Sequence, residues 1–329
     1  MSSIGDIVLT EPVVTAIRRG APRSTVGFVV KRRYRELVRP NPDVDRVHVL
    51  RDSSPGALLE LGREIRRERY SAVVDLHANP RSFFLSAGSG APARTTYRKR
   101  GPLDSLRVRF LSGTYRTDRK LVARYLEALG PLGIPHPYER PRFHLDAAAR
   151  GRAQAMLSEA GFAGTAFAVV APGSVWETKR WPADRFAEVS RRVGSELGMR
   201  VLVLGSASER DLCERVAAGS DAVCFAGAAS LGESAALVAE ASLFVGNDSG
   251  PTHISMALDV PTVAIFGPTD PGQFDFRGHA LVYAGLPCSA CSFYGGRRCR
   301  RGHWNCMLDL GVERVMEAAA GLLLRRGKS

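Results

Sequence analysis

AFAVVAPGSVWETKRWPADRFAEVSRRVGSELGMRVLVL, residues 166–204, reads as strand, turn, helix, strand. Its first apolar run, 167–171, is short and unbroken, as in a strand covered on both faces, and the amphipathic stretch 182–197 has helical character. The same alternation continues downstream. Strands are predicted at 200–204, 222–225, 243–246 and 262–266, with helices at 208–218, 231–240 and 251–258. Ser230-Leu-Gly-Glu233 is a capping box that marks one helix start. Strand–helix alternation implies parallel sheets joined by right-handed crossovers.

Upstream, strands fit 25–30, 44–50 and 72–76, and helices fit 6–19, 31–38, 55–68, 81–87 and 118–129. Pro12 lies inside the first helix, which either kinks there or starts later with Thr10 as its cap. Four prolines in 131–141 suit a connection between domains, and a boundary is expected between 140 and 165. The expected division is 1–155 and 156–329, with the amphipathic helix 312–325 packing back. The chain opens almost at the first turn, with no strand before Ser2-Ser3-Ile4-Gly5-Asp6. That predicts a gap in the first sheet.

The bulk numbers agree with two α/β domains: 329 residues, 45% hydrophobic and 24% charged. No apolar run spans a bilayer, and the first residues lack the basic and apolar regions of a secretory signal, so a cytoplasmic protein is expected. The net charge of +13 reads either as a solvated basic surface or as attraction to an anionic partner, a phosphorylated glycolipid, a membrane face or nucleic acid, and charge alone does not choose between them. The basic residues are spread along the chain without a nucleic-acid-binding signature, so no nucleic-acid partner is expected. Only five of the 46 basic residues are lysines, which makes Lys179, at a strand end, more informative than another arginine would be.

Ligands of open α/β sheets bind beyond the C-terminal ends of the strands. Three turns there carry chemistry. At Gly5-Asp6, Asp6 is either a helix N-cap or a carboxylate able to deprotonate a hydroxyl. In Pro172–Pro182, Ser174 and Thr178 suit phosphate oxygens, and Lys179 and Arg180 suit a diphosphate. In Gly246-Asn-Asp-Ser-Gly-Pro-Thr-His253, small residues and a helix start suit a phosphate. There Asp248 suits a sugar or ribose hydroxyl, and His253 is either a phosphate donor or a satisfied histidine on the inner helix face. No G-x-G-x-x-G follows a predicted strand, which argues against a dehydrogenase.

Ser-Ser-Ile-Gly-Asp-Ile-Val-Leu-Thr-x-Pro, Asn41-Pro-Asp-Val-Asp45, Asp75-Leu-His-Ala-Asn-Pro-Arg81, Pro172-Gly-Ser, Thr178-Lys-Arg-Trp-Pro182, Gly246–His253 and Phe266-Gly-Pro-Thr-Asp-Pro271 follow one another in an order that resembles the ADP-heptose:lipopolysaccharide heptosyltransferases, glycosyltransferase family 9. The resemblance covers nearly the whole chain. It implies an α/β GT-B fold of two Rossmann-like domains facing a cleft, the first binding the acceptor and the second the nucleotide sugar. It implies Asp6 as catalytic base, Lys179 on the donor phosphate, and Asp248, Ser249, Gly250 and His253 in the donor loop. The departure from the family pattern is the first strand of the N-domain, which is missing here.

Cys213 and Cys224 fall in predicted core segments. Cys288, Cys291, Cys299 and Cys306 cluster near His303, either as a structural zinc site or as reduced thiols in an ordered loop. The expected reaction is a single inverting displacement, with ADP-heptose as donor and an anionic glycolipid of lipopolysaccharide core type as acceptor, met peripherally at the inner membrane. It needs no cofactor, because the protein supplies the positive charge. The alternatives are a GT-B enzyme using another nucleotide sugar, as transferase or epimerase, and a non-catalytic protein that binds nucleotide sugars.

Overall fold

A computed structural model describes residues 3–99 and 114–326. The chain divides into two compact units. The first is Met1–Arg100 with Arg119–Asp146, and the second is Gly101–Asp118 with Ala147–Ser329. The expected division at 155 thus lies within the helix that opens the long segment of the second unit.

In the first unit, β1 (Gly27–Lys31) pairs in parallel with β2 (Arg46–Leu50), and β3 (Ala72–Asp75) with β4 (Ala93–Thr96). The two pairs share no ladder. Helix α1 (Ile4–Gly20) is continuous through Pro12. Thr10 does not cap a later start, because its hydroxyl donates back to the carbonyl of Ile7 at 3.0 Å. Proline removes one helix bond. The helix survives because Val13 and Ala16 are packed against Val122, Tyr125 and Leu126 of α5 (Leu121–Leu126) and against Leu129. Glu11 is buried on α1, where it accepts from Thr15 and from the backbone N–H of Arg142, each at 2.9 Å.

The predicted helix at 31–38 is a 3-10 turn followed by the short α2 (Arg35–Val38). Helix α3 (Pro55–Arg67) has an apolar stripe, Ala57, Leu61 and Ile65, which packs with Leu50 of β2 and Leu85 of α4 (Pro80–Gly88).

The second unit holds α6 (Ala147–Glu159), β5 (Phe167–Ala171), α7 (Ala183–Leu197), β6 (Arg200–Val203), α8 (Arg210–Ala217), β7 (Val223–Cys224) and α9 (Leu231–Ala239). After these come β8 (Leu243–Asn247), α10 (Gly250–Ala257), β9 (Thr262–Phe266), β10 (Ala280–Tyr283), α11 (Asn305–Leu308) and α12 (Val312–Arg326). Its six strands form one parallel sheet in the order β10-β9-β8-β5-β6-β7. All five residues of β5, β8 and β9 are buried, which is why these segments read as unbroken apolar runs. Phe186, Val189 and Val193 of α7 and Val315, Ala319 and Leu322 of α12 belong to one core with the sheet. The capping box expected at Ser230 and Glu233 starts α9.

Four labelled elements had no sequence signal, the four-residue α11 among them. Strands β4 (ARTT) and β10 (ALVY) are four residues each. Helix α6 buries only Ala149, Ala153 and Leu157, a stripe too weak in hydrophobicity to stand out.

Candidate active site

Strands β5, β8 and β9 are parallel neighbours, so their C-terminal turns emerge at one sheet edge. Asn247, the last residue of β8, is fully buried and fastens two of these turns together. Its Oδ1 accepts from the backbone N–H of Trp181 at 3.0 Å, and its Nδ2 donates to the carbonyl of Pro172 at 2.7 Å. The Trp181 indole N–H donates to the carbonyl of Leu310 at 2.9 Å. One residue back, a Cβ on Gly246 would sit 2.8 Å from the Phe244 ring and 3.1 Å from Thr252 Oγ1, so the strand end accepts no side chain there.

Asp248 follows, with 3% of its surface exposed. Lys179 Nζ lies 2.6 Å from its Oδ2, the Thr269 hydroxyl donates to the same oxygen at 2.6 Å, and His253 Nε2 lies 3.5 Å from Oδ1. Burial by itself raises the pKa of this carboxyl. The Lys179 ammonium and the His253 imidazole outweigh burial and hold it well below the ordinary carboxylate range. Ser249 is the N-cap of α10, and its buried hydroxyl oxygen has no hydrogen-bond partner. Pro251 stands in the first turn of that helix, where the backbone N–H groups lack partners within the helix. The arrangement is one an anion fits: helix N–H groups and a free hydroxyl, beside a lysine and a histidine.

The turn after β5 brings Ser174, Thr178, Lys179 and Arg180 to this edge, with other tasks for two of them. The carbonyl of Ser174 accepts from Arg180 Nε at 2.8 Å. Thr178 is turned to the cysteine-bearing segment. Its hydroxyl oxygen accepts from the N–H of Gly296 at 2.8 Å, its own N–H donates to the Gly296 carbonyl at 3.0 Å, and its carbonyl takes the Trp304 indole N–H at 3.0 Å. Gly295, at φ 98°, rests directly on the stem of Lys179. A Cβ there would come within 2.8 Å of Lys179 Cδ and 2.7 Å of Trp176 Cβ. Sequence reasoning passed over Asn247, Thr269, Gly295 and Gly296. The first two stand inside quoted motifs, and the glycines gave no signal beyond being a pair.

 Cys288, Cys291, Cys299 and Cys306 line one cavity of about 90 Å³ together with His303. Cys288 Sγ lies 3.7 Å from His303 Nε2. Burial, reinforced by the neighbouring thiols, pushes Cys291 above the ordinary thiol range and Cys306 up to about 12. All six cysteines are free. Among the described residues no three His, Cys, Asp or Glu side chains gather as they would around a metal ion. Cys213 is buried as expected, with its thiol pushed up to about 12 by burial, whereas Cys224 is only half-buried.

In the first unit, Asp6 is not the N-cap of α1. Ser3 is the cap, and its hydroxyl accepts the backbone N–H of Asp6 at 3.1 Å. Asp6 stands in the first helical turn, half-buried, so capping does not account for its carboxylate. The Asp75–Arg81 motif folds as a turn around Asp75. One oxygen accepts the N–H groups of His77 (2.9 Å) and Ala78 (3.0 Å), and the other accepts the Ser82 hydroxyl at 2.8 Å. This turn holds His77 within electrostatic reach of Asp6. Burial lowers the His77 pKa, and the Asp6 carboxylate opposes that shift.

The chain matches the family model for glycosyltransferase family 9 (heptosyltransferase) over residues 58–296. Lipopolysaccharide heptosyltransferase 1 of Pseudomonas aeruginosa is 28% identical over 312 residues, covering 88% of this chain and 84% of that protein. The crystal structure of a family 9 glycosyl transferase from Veillonella parvula is similar with a TM-score of 0.82 at 24% identity, covering 99% of this chain and 96% of that one. Escherichia coli ADP-heptose lipopolysaccharide heptosyltransferase II gives 0.77 at 20% identity, covering 99% and 98%. These likenesses identify the fold as GT-B.

The buried Asp248–Lys179 pair sets a stability test. Removing one partner strands the other charge, so Asp248→Asn should lose about 3–5 kcal/mol at neutral pH. The Asp248 pKa is depressed in the folded state, so its contribution is complete above the unfolded value of 3.8 and fades as pH falls. Urea unfolding of both proteins at neutral and acid pH should show the deficit narrowing below about pH 4. Equal stability at neutral pH would show that the pair holds nothing together.

Proposed function

The chain belongs to glycosyltransferase family 9, and from that membership we propose that it moves a heptose from ADP-heptose to a hydroxyl of a lipopolysaccharide core acceptor, with inversion at the anomeric carbon. The observation that carries this reading is the second unit's anion-ready edge: Lys179, His253, the unpartnered Ser249 hydroxyl and the start of α10. A donor diphosphate placed there meets N–H groups and positive charge together. Asp248 would repel phosphate were it bare. Lys179, Thr269 and His253 offset its charge and leave it as the group that aims them.

In the proposed step the acceptor oxygen forms a bond to the anomeric carbon while the bond from that carbon to the diphosphate oxygen breaks. ADP leaves with the electron pair. The carboxylate of Asp6 takes the proton of the attacking hydroxyl. Lys179, Arg180 and the helix N–H groups stabilise the charge that develops on the leaving group. The scheme draws its positive charge from the protein and calls for no cofactor. Among the described residues no helix is long and apolar enough to cross a membrane. The reaction is proposed to take place peripherally, at the cytoplasmic face of the inner membrane.

Three measurements test this reading. Asp6→Asn leaves the Ser3 cap in place, so the fold should persist. Turnover should fall by about 10²–10⁴-fold while ADP-heptose still binds. Near-wild-type turnover by an intact variant would remove Asp6 as the base. Gly295→Ala should displace Lys179 and weaken ADP binding by about ten- to a hundredfold in calorimetry, the worth of a charged hydrogen bond. Unchanged affinity would detach the cysteine segment from the donor site. A zinc ion held by Cys288, Cys291, Cys299 and Cys306 is the finer part of the proposal. Elemental analysis should find about one metal per chain if it is there, and metal-free protein of full stability would leave packed thiols.

A further inference from the structure

Helix α4 is apolar on two faces. Leu85 points inward to Leu61 and Ile65 of α3. Pro80, Phe83, Phe84 and Ala87, spaced i, i+3, i+4 and i+7, lie exposed on the outward side, with Phe83 71% and Phe84 48% exposed. Single exposed apolar side chains are ordinary, but two phenylalanines on one helix face with basic neighbours mark a docking surface.

The charge around this face is predominantly basic, with Glu36 standing among the arginines of the α2 turn and Asp52 beside Ser53. Arg81 lies in the first turn of α4 and donates to the Ser53 hydroxyl at 3.2 Å. Its charge acts on Lys31, at the end of β1, together with that of Arg33. Beyond them Arg32, Arg35 and Arg39 are exposed around the α2 turn. The imbalance extends to the whole unit. The described residues of the first unit hold 23 Lys and Arg against 13 Asp and Glu, and those of the second hold 19 of each. Among the described residues the net positive excess therefore sits on the unit that bears the exposed phenylalanines.

We propose that the outward face of α4, with the basic turn after β1, docks the first unit onto an anionic phospholipid bilayer. Phe83 and Phe84 enter the headgroup layer, and the arginines pair with lipid phosphates. An aromatic pair beside several arginines suits that boundary, where apolar insertion and electrostatic attraction add. The surface complements the transferase reading, in which the acceptor is anchored in the membrane, and rests on it only for that context.

The test is sedimentation of the full chain with vesicles of phosphatidylcholine, alone or mixed with phosphatidylglycerol. Wild type should bind the mixed vesicles, bind plain ones weakly, and be released by high salt. F83S/F84S should cut partition by about tenfold or more, with unchanged melting temperature and unchanged transfer from ADP-heptose to a deacylated, water-soluble acceptor. Should that double variant fail to fold, R32E/R35E should lose the preference for phosphatidylglycerol. Wild type without that preference, or folded variants that bind like wild type, would overturn the proposal. So would a change in oligomeric state on F83S/F84S, because the face would then cover a second copy. Absence of transfer to the soluble acceptor by wild type would sink the transferase reading and leave the vesicle result to decide this one.

Discussion

A carboxylate buried as deeply as Asp248 cannot stay ionised without partners, because the interior returns little of the hydration it gives up. That constraint organises the site. Lys179 comes from the turn after β5, Thr269 from the turn after β9 and His253 from α10. Three stretches distant in sequence converge on one charge. Asn247, the adjacent residue, makes a neutral version of the same join between Pro172 and Trp181. The cysteine-bearing segment is bound in turn to Thr178 and presses Gly295 on the Lys179 stem, so a stretch without an evident catalytic role helps to position the cation.

The two units differ in physical character. The second has a continuous parallel sheet, a large shared core and balanced charge, as befits a rigid platform for small-molecule contacts. The first has two separate strand pairs, smaller cores and a strong positive excess. The proposed function gives each unit a task suited to this difference: a nucleotide sugar would be gripped by fixed N–H groups and a few side chains, and an anionic glycolipid at a membrane would be gathered by a broad field.

Much of the fold was legible in the chain because burial on both faces of a parallel sheet leaves unbroken apolar runs. The runs at 167–171, 243–246 and 262–266 lie in β5, β8 and β9. The capping box at Ser230 was legible because its chemistry is local. The four-residue strands β4 and β10 and the weakly amphipathic α6 were not, since only neighbours far along the chain make them regular. At Asp6 local reasoning misplaced the cap, because Ser3 and Asp6 both suit a helix start and geometry alone decides which hydroxyl or carboxylate faces the N–H groups.

The sequence by itself determined the alternation of strands and helices, the turns at which ligand chemistry sits, and the family resemblance, because these depend on residue type and short-range spacing. Only the tertiary structure decided that Lys179 is paired with Asp248, that Thr178 faces Gly296, that Gly295 supports the lysine, and that the exposed phenylalanines share a unit with the net positive excess of the described residues. Those facts depend on which strands become neighbours. Strand order in a parallel sheet is set by the packing of the whole domain, and no window of the chain contains it.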